Sequence, residues 1–250
     1  MSAKIIFINI AFILIGLSSR SNNLENPATV QVFNLIYNQQ YDKADSSLSA
    51  NRHEIGNLMA DILLIDLEYW RYVTSDSKES FNQFEAFLHS CNLGEEGSDE
   101  NKIRQLVVYI YSLRLYYKRF NILKFNITWI KMKILLNKVD QQTLQVLGNG
   151  NELVGVYNSV YKYLSQKLNP FSFLKKQNSG ELALLEENCK NEILIINTLS
   201  NYFVGKLYLK FEKEPAKALG FFQVLINRYP NNKVFRDLAS ECESESQSHN

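Results

Sequence analysis

The stretch that decides the fold runs from Tyr202 to Asn232 and reads YFVGKLYLKFEKEPAKALGFFQVLINRYPNN. Two apolar-rich segments lie on either side of Glu214-Pro215, and Pro230 follows the second segment. Apolar residues that recur at helical spacing on both sides of a turn, with a proline after the last one, indicate two consecutive helices. The stretch therefore predicts one helix–turn–helix unit.

Four residues of this unit occupy positions where size or backbone geometry matters, namely Gly205, Ala218, Phe222 and Pro230. At these positions the unit resembles a tetratricopeptide repeat. In that family a glycine on the first helix lets the second helix pack closely, a small residue opens the second helix, an aromatic residue follows one turn later, and a proline ends the unit. Between Tyr208 and Ala218 the chain has one residue more than the family pattern, so we expect a looser turn around Glu214-Pro215.

The composition of the chain favours an all-helical protein. It has 250 residues, of which 46% are hydrophobic and 12% aromatic, so it can bury a substantial core in one or two domains. Ten glycines and four prolines lie mostly between long apolar-periodic segments, which is typical of helices rather than of a sandwich or barrel. The net charge of +1 gives no general attraction to nucleic acid or membranes.

Earlier parts of the chain repeat the same pattern less closely. Residues 29–50 have Tyr41, Ala44 and Leu48 at the offsets that open a second helix, and residues 56–91 have Ser80 and Phe84 at the small and aromatic positions. The pair over residues 102–138 has Leu123 and Ile127 at those positions, so we expect its helices to lie further apart. The resemblance implies an all-α fold, an array of about four to six antiparallel helix pairs. The array covers residues 22–239, either as one unit or as sub-arrays over 29–138 and 152–239, with a disordered polar tail over 240–250.

The N-terminus resembles a secretory signal peptide over residues 1–21. Met1 to Lys4 is a short positive start, Ile5 to Leu17 is an apolar run of thirteen residues, and small polar residues follow. The run is shorter than the roughly 20 residues that span a bilayer as a helix. We therefore expect export, to the periplasm of a bacterium, with an uncleaved signal that anchors the chain in the inner membrane as the alternative. Export also disfavours nucleic acid as a partner.

Motifs of catalysis or metal binding are not recognisable in the sequence. The three histidines are isolated, and Gly148-Asn-Gly150 follows a helical pattern rather than a strand, so it predicts a turn rather than a phosphate loop. The three cysteines, Cys91, Cys189 and Cys242, are too scattered for a disulfide framework, although a bond between Cys189 and Cys242 remains open. We predict no catalytic residues, no metal and no cofactor. An all-helical hydrolase with two facing carboxylates stays an alternative.

Charged residues form one local feature. Residues 114–139 hold seven basic side chains and no acidic one. Lys124, Lys131 and Lys138 recur every seven residues and share a helix face, beside or opposite a face that we expect to be buried, formed by Leu123, Ile127, Ile130 and Ile134. The lysines either form a solvated face or bind an anionic polymer, a lipid head group or an acidic partner. Elsewhere, Asp66 and Glu68 interrupt an apolar helix, and we expect them to face water.

Binding of a peptide or protein segment is the function that the resemblance implies. Proteins of this architecture present a groove formed mainly by the first helices of their pairs. The residues expected to contact a partner are Arg71, Tyr109, Arg114 and Lys206 in that groove, together with Lys124, Lys131 and Lys138 on the basic helix. The sequence thus predicts a non-enzymatic interaction scaffold of the cell envelope. A periplasmic hydrolase, or an accessory subunit of an envelope complex anchored by its signal, are the alternatives, and contact with the membrane is expected only if the signal is uncleaved.

Overall fold

The computed structural model describes residues 24–91, 98–138, 150–168 and 180–248. Over these residues the secondary structure is helical and contains no strand, which confirms the predicted all-α class. The helices are α1 Pro27–Tyr37, α2 Tyr41–Ala50, α3 Arg52–Ile55, α4 Asn57–Ser75, α5 Lys78–Ser90, α6 Asp99–Lys118, α7 Ile122–Leu136, α8 Gly150–Leu168, α9 Gly180–Asn188, α10 Leu194–Leu207, α11 Pro215–Arg228 and α12 Lys233–Ser248. The predicted signal peptide lies outside the described residues. No helix in the described ranges is both long enough and apolar enough to cross a membrane.

Side-chain caps set the starts of several helices. Asn26 accepts a hydrogen bond from the backbone N–H of Ala28 at 2.8 Å and begins α1. Ser77 and Ser80 form a reciprocal capping box at the start of α5. Such caps satisfy backbone donors that have no partner within the helix. Between α4 and α5 the chain turns at Asp76, which adopts the left-handed conformation with φ of 43°.

The unit from Tyr202 to Asn232 forms α10 and α11, which pack directly against each other. A Cβ atom at Gly205 would lie 2.8 Å from the Phe222 ring, closer than van der Waals contact allows. Ala218 and Phe222 are fully buried. The glycine is therefore needed for close approach of the two helices, as the repeat pattern predicts.

The additional residue of this unit lies in a widened helical turn. Tyr208–Glu212 is a π-helical segment that extends α10, and π-helical turns accommodate extra residues within a helix. Lys213 follows in the left-handed conformation with φ of 59°, and Pro215 occupies the first turn of α11. The sequence predicts a looser turn near Glu214-Pro215. In the structure the irregular backbone begins earlier, in the π-helical segment that ends the first helix.

The first and last described helices contact each other through Tyr37 of α1 and Phe235 of α12, whose ring centroids are 6.2 Å apart. In addition, α1 packs against α10, and α12 packs against α4. The Asn232 side-chain amide donates to the Tyr37 carbonyl oxygen at 2.8 Å, and the ring centroids of Trp70 and Phe235 are 5.5 Å apart. In a linear repeat array each unit contacts only its neighbours, so these contacts add a closure that the sequence pattern does not specify.

The C-terminal residues differ from the predicted disordered tail. α12 continues to Ser248, and Cys242 within it is fully buried. Lys210 of the π-helical segment forms an ion pair with Glu241. The high polar content of residues 240–250 suggests a tail, but one buried face with Phe235, Ala239 and Cys242 at helical spacing is enough to hold the helix on the core.

The orientation of α7 is the opposite of the predicted one. The face that we expected to be buried is exposed, with exposed fractions of 72% for Leu123, 47% for Ile127, 58% for Ile130 and 53% for Ile134. The buried residues are instead Thr128, Met132 and Leu135. α7 has apolar residues on both sides, so its periodicity permits two orientations. The observed one turns the large rings of Phe125 and Trp129 inward, and Trp129 lies 4.5 Å from Tyr161 of α8 between ring centroids.

Candidate ligand cavity

A cavity of about 370 Å³ lies between α4, α6, α7, α8, α10 and α12. Its volume is within the range of about 300–1,000 Å³ that is usual for ligand pockets. Its wall is mainly apolar and aromatic, and residues of four helices form most of it, among them Tyr69, Trp129, Met132, Tyr157, Tyr161 and Phe203. Arg114, Lys118, Lys206 and Lys210 are the basic residues of the lining.

Arg114 projects from α6 into a cluster of aromatic rings. Its guanidinium carbon lies 3.8 Å from the centroid of the Tyr69 ring and 4.9 Å from that of Tyr111. Such cation–π contacts are strongest where water is excluded. The Nη1 atom is buried and has no hydrogen-bond partner among the described residues. Because a guanidinium is always charged and buried charges are normally paired, this atom is a buried donor that lacks an acceptor at the cavity wall.

Lys206 and Tyr202 complete a positive region beside Arg114. The Lys206 ammonium lies 5.4 Å from the centroid of the Tyr202 ring, and the Arg114 guanidinium lies 5.6 Å from the same ring. Burial raises the pKa of the Tyr202 phenol, but the charges of Lys206 and Arg114 outweigh burial and lower that pKa below its usual value. Lys206 forms no ion pair within the described ranges of the chain, whereas Lys118 and Lys210 pair with Asp76 and Glu241. Neither Arg114 nor Lys206 therefore has a carboxylate within ion-pair distance among the described residues, although the Arg114 charge acts on the more distant Asp66 carboxyl.

Asp66 of α4 is a buried carboxyl near Arg114. The prediction that Asp66 faces water is therefore wrong. Its carboxyl accepts a hydrogen bond of 2.5 Å from the Tyr111 hydroxyl. Burial raises the pKa of Asp66 to about 6, although the Tyr111 hydrogen bond and the Arg114 charge both act to lower it. Polar partners inside the core thus replace the water that we expected. Glu68, two residues later, pairs with Arg71 at 2.5 Å on the half-exposed side of the same helix.

The structure brings together two of the seven residues predicted to contact a partner. Arg114 and Lys206 line the cavity, from helices that are far apart in sequence. Arg71 lies elsewhere, within 2.5 to 3.8 Å of the carboxylates of Glu68, Asp45 and Asp42. Tyr109 is half-buried outside the cavity, where its hydroxyl accepts a hydrogen bond from Gln105 at 2.9 Å.

The three lysines of the basic helix are separate from the cavity. Lys124 pairs with Glu85 of α5 at 2.6 Å. Lys131 is exposed on α7, and Lys138 is exposed two residues after the end of that helix. Sequence reasoning missed the aromatic wall of the cavity. The available signal was the run Tyr202-Phe203 one turn before Lys206, because residues three and four apart on a helix lie side by side and these rings therefore adjoin the cation.

Reactive side chains are not clustered in the described parts of the chain. These parts contain no group of three histidine, cysteine or acidic residues that could hold a metal ion. Cys91, Cys189 and Cys242 are free, so the open option of a bond between Cys189 and Cys242 is not realised. Burial raises the pKa of the Cys189 thiol to about 12 and that of the Cys91 and Cys242 thiols to about 11. These thiols are therefore protonated at neutral pH and are weak nucleophiles.

Comparison of the chain with protein families, with characterised proteins and with solved structures found no match. Apolar rings with two cations and a phenol suit the binding of a group that is apolar at one end and anionic at the other.

Proposed function

We propose that this chain is a non-enzymatic binding protein that holds a peptide or protein segment in the cavity. An acidic group of the segment lies beside Arg114 and Lys206, and an apolar side chain packs against the aromatic wall. One observation carries the proposal: the Nη1 atom of Arg114 is buried at an apolar cavity without a hydrogen-bond partner in the described residues. A cation in this setting is stabilised by the ligand that supplies the missing acceptor.

The energetic argument rests on the environment of Arg114. Hydrogen bonds that involve a charged group contribute about 1.5–3 kcal/mol, roughly twice a neutral bond. Lys206 adds a second positive charge to the same cavity, and its ammonium makes no ion pair with the described carboxylates. A ligand carboxylate therefore gains more here than in water, while rings such as Tyr157 and Phe203 supply apolar area.

The resemblance to tetratricopeptide proteins supports a peptide as the ligand class. Under this proposal α1–α2, α4–α5, α6–α7, α8–α9 and α10–α11 form an array of antiparallel pairs, and the first helices α4, α6, α8 and α10 provide residues of the cavity. Val234 and Leu238 of α12, which packs against α4, add apolar residues to the cavity wall. The proposal includes export through the signal-like residues 1–21 and a role in the bacterial envelope, without a cofactor or metal.

Binding of short peptides to the full chain tests this function. The probes are peptides that end in an apolar aromatic residue, once with a free carboxylate and once with a C-terminal amide, measured by titration calorimetry. We expect the free carboxylate to bind at least tenfold more tightly, and K206Q to remove that preference. K118Q is the matched control, because Lys118 lines the same cavity but is already neutralised by Asp76 at 2.9 Å.

A small amphiphile is the second candidate ligand, favoured by the predominantly apolar wall and by a volume of about 370 Å³. Dodecanoate is the matching probe, since it carries one carboxylate and no peptide backbone. Binding of dodecanoate that is sensitive to K206Q, together with no binding of either peptide, would assign the cavity to amphiphiles. Peptide and dodecanoate binding that are both unaffected by K206Q would refute the role of the cavity in either function.

A further inference from the structure

The outer face of α7 carries an exposed apolar stripe. Leu123, Ile127, Ile130 and Ile134 are all about half or more exposed, and their spacing of three and four residues places them in one row along the helix. The buried residues Thr128, Met132 and Leu135 lie on the opposite side. This outer stripe is therefore a second apolar face, separate from the one that lines the cavity.

Basic and amide side chains border the outer stripe on both sides. From a helical repeat of 3.6 residues, Lys124 and Lys131 lie along one edge of the stripe, and Lys133 and Asn126 lie along the other edge. Asn137 and Lys138 follow directly after the end of α7. All are exposed, and no acidic residue occurs between Arg114 and Val139. The stripe is thus an aliphatic surface in a field of positive charge.

We propose that α7 lies on the surface of an anionic lipid bilayer, with the outer stripe turned into the head-group boundary. Helices that bind in the plane of a bilayer combine one apolar face with a basic polar face. Lysines beside such a face attract anionic lipid heads while the aliphatic side chains leave water. Within the described residues Lys131, Lys133 and Lys138 form no ion pair, so their charges are available to the lipid.

The turn before α7 fits the same orientation. Phe120 is 87% exposed and adopts a left-handed backbone conformation with φ of 51°, and Tyr117 beside it is also exposed. A fully exposed phenylalanine is costly in water, and aromatic side chains are favoured at the boundary between lipid and water. Phe120 thus adds an exposed ring just before the first turn of α7, whereas the Tyr117 ring also lines the cavity.

Charge complementarity favours a bilayer over a second copy of this chain as the partner of the outer stripe. Two copies that paired through their outer stripes would bring rows of lysines together, with no carboxylate between Arg114 and Val139 to neutralise them. Like charges that face each other across an interface are unfavourable. An anionic bilayer supplies the opposite charge along the whole length of the helix.

Co-flotation of the full chain with vesicles tests this proposal. The vesicles contain equal parts of phosphatidylglycerol and phosphatidylcholine, and vesicles of phosphatidylcholine alone provide the uncharged reference. We expect the triple variant K131Q/K133Q/K138Q to bind the anionic vesicles about 100-fold more weakly, from roughly fivefold for each lysine near an anionic surface. We expect I127Q/I130Q to lower the affinity by tenfold or more, because it removes two inserting side chains.

Matched variants keep the test specific to α7. K43Q/K78Q/K190Q removes the same charge from exposed lysines elsewhere, and L184Q/V224Q replaces exposed aliphatic residues on α9 and α11. The apolar N-terminal run is identical in every variant, so differences between variants belong to α7. Equal binding of all variants overturns the proposal. So does a wild-type dimer in sedimentation that becomes monomeric in I127Q/I130Q, because the stripe is then an interface between copies.

Discussion

The pairs α10–α11 and α6–α7 are built from similar amounts of apolar sequence but are specified differently. In α10–α11 a glycine faces a buried phenylalanine, and only one orientation of the second helix lets Phe222 fit against Gly205. In α6–α7 the second helix is apolar on both sides, so its own sequence allows either face to be the buried one. A small residue opposite a large one therefore determines an orientation that hydrophobic periodicity alone leaves open.

The largest expected difference between the two pairs comes from truncating one apolar residue in each second helix. F222A removes a fully buried ring and should lower the free energy of unfolding by about 3–5 kcal/mol. I130A on the outer stripe should change it by less than about 0.5 kcal/mol. Urea unfolding followed by circular dichroism measures both. Equal losses in the two variants would show that Ile130 is buried and that the orientation of α7 described above is wrong.

Asp66 is another residue whose position the sequence pattern does not determine. Its charge predicts exposure to water, but the fold buries it. Its pKa of about 6 lies above the ordinary value of 3.8, so the folded state binds more protons than the unfolded state between these values. Stability should therefore fall as pH rises from about 4 to 6, by up to about 3 kcal/mol for a carboxyl this deeply buried. Above about pH 6 the loss is complete.

The D66N variant tests this sign, because an amide in place of the carboxyl does not titrate. Between pH 4 and 7 the stability of D66N relative to the wild type should rise, since only the wild type loses stability over that range. Chemical denaturation at several pH values measures the difference. D61N is a suitable control, because Asp61 is a partly exposed carboxylate that pairs with Arg104 at 2.9 Å. A constant difference between D66N and wild type would show that Asp66 is ionised over the whole range.

The contact between Gly205 and Phe222 gives a prediction of intermediate size. G205A places a methyl group 2.8 Å from the ring and should lower stability by about 1–3 kcal/mol through overpacking. In the F222A background the same substitution should be neutral or stabilising by up to about 1 kcal/mol, because alanine favours a helix over glycine. Thermal unfolding of the four proteins in a double-mutant cycle measures the coupling. Additive effects would mean that the two residues do not determine the orientation of α11.

The predictable parts of the fold are those that short-range patterns specify. The helix pair from Tyr202 to Asn232 and the cap at Ser77 follow from residues within a few positions of each other. The inward side of α7 depends on Tyr161 of α8, and the burial of Asp66 depends on Tyr111 of α6. Arg114 and Lys206 were predicted as contact residues, but their meeting at one cavity depends on the packing of α6 against more distant helices. Contacts between residues far apart in sequence decide these features, and no local pattern encodes them.

The smallest expected effect is also the one that most directly separates the two faces of α7. I127Q/I130Q should leave the free energy of unfolding within about 1 kcal/mol of the wild type, since both residues are about half exposed. W129A on the inner face should cost more, because the indole packs against the Tyr161 ring with 4.5 Å between the centroids and aromatic pairs contribute about 0.5–1.5 kcal/mol beyond buried area. Unfolding without vesicles measures both. If I127Q/I130Q leaves the free energy of unfolding unchanged but weakens vesicle binding, the outer face is a functional surface. If I127Q/I130Q lowers the free energy of unfolding strongly, the outer face is part of the core.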